Sequence, residues 1–319
     1  MISPRVEKAD GLMKEQMLGM LFRESKLHKI ATSLSKTHLD WRFKMCQWAY
    51  KVIDHFDLGR SCASLGMNFF DRYLEISRFD DDKENFQLIA ATALYMAIKI
   101  QDEMKDGNLV KTPQKLYISF FVHASRGLFS DQDMIRMEKH ILCTLNWRVN
   151  PSIPSQFSEF FFHFFPSHDC KDANDDQQEN ETMGLLCDVS LYLIEISTYD
   201  HILSAKMRPS VVAYSTLLVS LDSIDEAVIT RESRSLFLKQ LHLLTGLSPQ
   251  SKEVMDASSR IESFFSQVFE VDESRQNCMS SIVKAAGFPV KEPSTVIASC
   301  ASENQMMTVS PSPKRMKII

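Results

Sequence analysis

WRFKMCQWAYKVIDHFDLGRSCASLGMNFFDRYL, residues 41–74, holds two helical patterns that each carry one charge into an apolar face. Trp41, Met45, Trp48, Val52 and Phe56 recur at steps of three and four, which sets them along one stripe of a helix bordered by Arg42. Leu65, Phe69, Tyr73 and Ile76 form a second stripe, and Asp71 stands between Phe70 and Tyr73 rather than in a polar run. A charge among apolar side chains is tolerated only when it is paired, so Arg42 and Asp71 on adjacent helices are natural mates.

Composition agrees with helices throughout. The 319 residues are 44% hydrophobic, enough to fill two ordinary cores, and only 9 are Gly. Leu, Met, Ala, Lys and Glu fill long periodic segments, while beta-branched runs bounded by turn signals are scarce, so the expected fold class is all-α. A net charge of -5 gives no general attraction to nucleic acid. The 7 Cys are dispersed with no CxxC and no signal-like N-terminus, the usage expected of reduced thiols in an intracellular protein. Apolar runs are too short and too interrupted to predict a bilayer span.

Outward from residues 41–74, the pattern predicts an amphipathic helix from Glu7 to about Ser35, with Leu12, Met17, Met20, Leu21, Leu27 and Ile30 on the side that packs against the domain that follows. Helices are predicted over 37–56, where Gly59 helps the turn, and over 86–102, where FQLIAATALYMAIKIQD is apolar nearly all round. Between them, Asp80 to Asn85 reads as a solvated connection. Thr112 and Pro113 look like the cap and first residue of a short helix, and Ser130 with Asp133 like a capping box, with Met134, Met137, Ile141 and Leu145 facing inward. After Pro151 and Pro154 the pattern restarts, with helices predicted over 156–165, 183–197, 209–221, 231–245 and 249–269 and a mobile acidic loop over 171–181. Phe86-Gln-Leu-Ile-Ala-Ala-Thr-Ala-Leu and Pro209-Ser-Val-Val-Ala-Tyr-Ser-Thr-Leu repeat faintly. The expected organisation is an N-terminal helix (1–36), two domains (37–150 and 151–272) and a flexible tail (273–319).

No catalytic constellation stands out: the chain has no glycine-rich phosphate loop, HExxH or GxSxG, so no enzymatic activity of its own is expected. His163, His168 and Cys170 read as a solvated loop edge rather than a metal site, and no cofactor is implied.

The Arg42 to Trp48 spacing and the run Asn68-Phe69-Phe70-Asp71-Arg72-Tyr73-Leu74 resemble the cyclin box. The resemblance implies two tandem five-helix boxes and a non-catalytic subunit that binds and activates a cyclin-dependent kinase. The runner-up is a transcription-type cyclin or a cyclin-box scaffold without kinase activation. It implies that Arg42 and Asp71 pair as a buried bridge between the first two helices of the box. Lys99 and Glu138 alone would pass for helix-end or surface charges; by the resemblance they lie side by side and grip the kinase, with Ile100, Leu142 and Trp147 as the apolar part of that surface. The substrate-docking surface implied by the resemblance involves Trp41, Met45, Trp48, Phe86 and Gln87. Lys44 replaces an expected apolar residue there, and Lys51 stands where an acidic residue meets a basic-x-Leu motif, so a basic ligand is repelled. Protein substrates or inhibitors are the other expected partners; nucleic acid and membrane are not. The end of the first box, Leu145-Asn146-Trp147-Arg148, and the N-terminal helix look more like D-type cyclins than mitotic ones. Short signals complete the reading: Ser310-Pro311 and Ser312-Pro313 as candidate phosphosites, Lys314, Arg315 and Lys317 as a basic cluster for nuclear import, and Lys83-Glu84-Asn85 as a degradation signal. Nucleus and cytoplasm are the expected locations.

Overall fold

Every regular element among the residues that the computed structural model describes, 4–27, 34–77, 83–105, 118–165, 173–224 and 229–269, is helical. At the centre of the first core, α2 (Lys36–His55) packs on α3 (Ser61–Ser77). Ser35 caps α2 by accepting the His38 N–H at 3.2 Å. The residue in the left-handed region after α2 is Asp57, at φ 51°, and not Gly59; a short polar side chain is among those that tolerate that region. The inward side of α2 includes Arg42, Cys46, Tyr50 and Ile53 beyond the expected stripe, which leaves Trp41 and Trp48 half-buried at its edge. α3 is buried on most sides from Cys62 to Leu74, and Ile76, expected to face inward, is instead 50% exposed past the last packed turn.

α4 (Lys83–Lys105) begins before the expected Phe86, so Lys83, Glu84 and Asn85 form its first turn rather than a loop. Glu84 there sits where negative charge complements the helix dipole. The close approach of α3 and α4 depends on Gly66: a Cβ at that position would lie 3.1 Å from Leu94 Cα. Thr92, fully buried in α4, donates to the Leu88 carbonyl at 2.7 Å, so no hydroxyl is orphaned. α5 (Ile118–Ala124) and α6 (Asp131–Thr144) close the first core; the expected cap at Thr112 and Pro113 lies outside the described residues. The Ser130 capping box is present, with the Asp133 N–H 3.3 Å from Ser130 Oγ and the Ser130 N–H 2.8 Å from Asp133 Oδ2. Arg72 ties α3 to the chain beyond α6 by donating to the Arg148 carbonyl at 3.0 Å, and burial, with the like charge of Arg148, draws its pKa down to about 10.

The second core is built by α7 (Pro154–His163), α8 (Ala173–Tyr199), a π-helical turn (Ile202–Lys206), α9 (Pro209–Asp222), α10 (Arg231–Thr245) and α11 (Lys252–Phe269). The stretch expected as a mobile acidic loop is helical from Ala173: it contains no Gly or Pro up to Met183, and Asp175 and Asp176 fall in the opening turns, where acids suit the helix dipole. α9 is buried on most sides in this core, with Val211, Ala213, Tyr214 and Leu217 among its buried side chains.

α1 (Pro4–Leu27) departs from expectation. It packs on α7, α9 and α10 of the second core rather than on the helices that follow it in the chain. Its buried stripe is Met17, Met20 and Glu24, with Leu12 56% exposed. Glu24 decides the arrangement: its carboxylate accepts the Ser210 N–H and the Ser210 hydroxyl, both at 2.7 Å, at the opening turn of α9. Backbone N–H groups of a first turn lack intrahelical partners, so α1 supplies the cap that Arg208 does not. Burial pushes the Glu24 carboxyl above its ordinary range, against the opposing pull of those two bonds.

Arg42 and Asp71 are paired, at 1% and 5% exposure. Nε meets Oδ1 and Nη2 meets Oδ2, each at 2.8 Å, a two-pronged fork. The guanidinium reaches further, donating from Nη1 to the Tyr199 carbonyl at 2.9 Å and from Nη2 to the Thr198 carbonyl at 3.1 Å, both at the open end of α8. Ser204 from the π-helical turn donates to Asp71 Oδ2 at 3.0 Å. Burial alone would lower the Arg42 pKa; Asp71 outweighs it and holds the group above its ordinary value.

Two outcomes follow from this packing. Asp71→Ala leaves a buried guanidinium without its counter-charge, and chemical denaturation should register a loss on the order of 3 to 5 kcal/mol; a midpoint equal to that of the parent would contradict the burial. Gly66→Val drives methyl groups into Leu94 and should lower stability by about 1–3 kcal/mol, read as a fall in melting temperature.

Candidate functional site

Lys99 lies in the last turns of α4 and Glu138 in the middle of α6, and the packing of these two helices sets their side chains together as a hydrogen-bonded ion pair. Lys99 Nζ also stands 4.7 Å above the Tyr95 ring, one turn back on α4. The pair is 40% and 21% exposed, so it contributes little to stability, and both groups remain within reach of another molecule. Ile100 follows Lys99 directly and Leu142 lies one turn beyond Glu138; both are half-buried against the first core.

Trp147 ends this face. Its N–H donates to the Leu142 carbonyl at 2.9 Å, and Asn146 and Trp147 both take left-handed backbone, at φ 52° and 57°. For a bulky residue that region is strained, and here the indole is 68% exposed. This face thus presents a cation, a carboxylate and two half-buried aliphatic side chains, with the exposed indole of Trp147 following in sequence.

The structure divides the five expected docking residues. Met45, Trp48 and Gln87 line a groove together with Ala91, Phe121 and Phe129. Trp48 meets the Phe121 ring at 6.0 Å and 68°. Trp41 and Phe86 do not line that groove. Phe86, 1% exposed, is core, stacked on His38 at 5.8 Å and edge-on to Trp41 at 5.5 Å and to Phe70 at 4.8 Å. Phe121 escapes a reading of the sequence because α5 is short and its periodicity weak, and Phe129 because it lies outside a helix, between α5 and α6. Lys44 and Lys51 are exposed and lie on the same stripe of α2 as Trp48.

Other candidates hold no chemistry. Burial pushes the Cys46 thiol up to about 12, which removes it as a nucleophile. Among the described residues no group of three or more His, Cys, Asp and Glu could hold a metal ion, and no helix is long and apolar enough to cross a membrane. His163 packs edge-on against Phe164 at 5.3 Å, while His168 and Cys170 lie outside the described residues. Ser310, Ser312, Lys314, Arg315 and Lys317 lie outside them too.

Residues 16–150 match the sequence profile of the cyclin N-terminal domain. The chain is similar to cyclin-D3-3 of Arabidopsis thaliana, 27% identical over 268 residues that cover 79% of this chain and 68% of that one. It is also similar to the G2/mitotic-specific cyclin-B3 of Gallus gallus, 26% identical over 183 residues, 57% of this chain and 38% of that one. Among solved structures, a viral cyclin from herpesvirus saimiri superposes with a TM-score of 0.54 at 19% identity, covering 78% of this chain and 98% of that chain, which shows a shared fold. The paired Arg42 and Asp71 both lie inside the residues that match the cyclin N-terminal domain.

Proposed function

We propose that this chain is a regulatory subunit that binds a cyclin-dependent protein kinase and shifts it to its active form. The observation that carries the reading is the Lys99–Glu138 pair, half-exposed beside Ile100 and Leu142 and flanked in sequence by the uncovered Trp147. Lys99 offers donors to backbone carbonyls of a partner helix, Glu138 accepts from its N–H groups, and the apolar rim adds area that both partners desolvate. A surface of this kind holds the kinase αC helix in one position, so that the kinase's own Lys-Glu pair and activation loop align. The energy comes from differential binding to two kinase conformations, and the chemistry stays in the kinase. Cell-cycle control accords with the mitotic-specific name of one relative. In this proposal α2–α6 form a first five-helix box and α7–α11 a second, within 37–150 and 151–272, with the N-terminal helix and tail outside them. Nuclear and cytoplasmic residence, with import through Lys314, Arg315 and Lys317, belongs to the same proposal.

Lys99→Glu and Glu138→Ala should each abolish recovery of a kinase in affinity purification, with histone-kinase activity lost from the eluate and the thermal melt unchanged. Equal kinase recovery with either variant would sink the assignment. A fluorescent basic-x-Leu peptide should fail to bind at micromolar concentration, since Lys44 and Lys51 repel its cationic end; micromolar binding that disappears in Trp48→Ala would show the opposite.

A further inference from the structure

Beyond the kinase face, the structure carries a second contact surface, on α10 and the turn that follows it. α10 turns Ser233, Phe237 and Leu241 into the second core. The other side should be polar throughout, as on an ordinary surface helix. Instead Leu238 is half-buried, Leu236 is 60% exposed and Leu243 is 85% exposed. Gly246, left-handed at φ 73°, ends the helix by donating to the His242 carbonyl at 2.8 Å and turns the chain so that Ser248, Pro249 and Gln250 run beside it. The result is a groove of about 750 Å³, a volume in the range of ligand-binding clefts.

Charge distinguishes this groove from the rest of the surface. Arg231, Arg234, Lys239 and His242 line it, and among the described residues that line it there is no carboxylate, in a chain whose net charge is -5. Glu232 is exposed on α10 without lining the groove, and Glu253 of α11 is held by Arg208 at 3.0 and 2.6 Å. Arg234 donates to the Ile229 carbonyl at 2.9 Å and the Ile224 carbonyl at 2.6 Å, which orient its guanidinium. His242 Nδ1 is held at 2.8 Å from the Leu247 carbonyl.

We infer that this groove docks an acidic peptide segment carrying a leucine-like side chain. Arg234 and Lys239 stand about 7.5 Å apart along the helix axis, well spaced for two carboxylates of a peptide. Leu238, Leu243 and Pro249 offer apolar surface between the cations. Among the described residues no Phe, Tyr or Trp lines the groove, which leaves a nucleic-acid strand a poor stacking platform. The occupant is therefore a protein segment, read by alternating charge and apolar contact. No residue of α2–α6 lines the groove, so this docking stands or falls separately from the kinase reading.

A random peptide library displayed on phage and selected on the full chain tests the inference, with counter-selection on a Lys239→Glu/Leu243→Ser double variant. Both side chains are exposed, and circular dichroism with a thermal melt confirms that the variant folds. The expected result is enrichment of peptides rich in Asp and Glu that contain Leu or Ile, with affinity falling at least about tenfold in the double variant. The single variants separate the two contributions: Lys239→Glu should weaken binding most at low salt, and Leu243→Ser at every salt concentration. No enrichment, an enriched set without acidic excess, or binding indifferent to both substitutions would overturn the inference. So would a labelled oligothymidylate that competes with the selected peptide and binds Leu243→Ser as tightly as the parent, which would mark a nucleic-acid surface.

Discussion

One buried guanidinium holds this molecule together. Arg42 enters from α2, satisfies Asp71 on α3 with a two-pronged contact, and spends its remaining donors on the last carbonyls of α8. A carboxylate alone would leave part of the guanidinium facing a dry core, and the end of α8 alone would leave two carbonyls without donors. Each group is satisfied only when both cores are present and seated. An ion pair of this kind is a weak source of net stability, because desolvation offsets most of its attraction. Its effect is specific: the ion pair lies within the first core, while a misplaced second core leaves the remaining guanidinium donors and the last two carbonyls of α8 unmet.

Legibility in the sequence followed this physics. Arg42 and Asp71 could be matched because a charge inside an apolar stripe advertises its need for a partner. Their further partners could not, since Thr198 and Tyr199 contribute only carbonyl oxygens, which every residue possesses. The Ser130 capping box was readable from two side chains at fixed spacing, whereas the cap of α9 was not, because Glu24 lies 186 residues away from Ser210. Burial of Glu24 also misled the pattern of α1: an acid in the inward stripe shifts the apparent apolar face, and Leu12 was assigned to the wrong side. Polar composition suggested a loop over 171–181, where α8 already runs from Ala173; charge says that a segment meets water, and says little about whether its backbone is helical.

The residues proposed to meet a kinase obey a different logic from the scaffold. Lys99, Glu138 and Trp147 are exposed enough that the fold does not require them, and no periodicity identifies them. They could be selected only through the resemblance, and the structure then brings Lys99 and Glu138 together by the packing of α4 on α6. The groove beside Trp48 shows the converse case. Its floor comes from the core, so it is half-legible, while its ligand preference rests on Lys44 and Lys51 at the surface, whose neighbours decide what the floor may receive.

The attachment of α1 to the second core has a consequence for how the chain is made. α1 precedes the first core and its carboxylate caps α9, so the whole first core is, in topology, an insertion between α1 and the helices α1 packs on. During synthesis α2–α6 can assemble while α1 waits, its Met17 and Met20 stripe uncovered until α7 and α9 emerge. Closing so long a loop is slow. The cover of α1 is thus complete only when helices on the far side of the first core have folded against it.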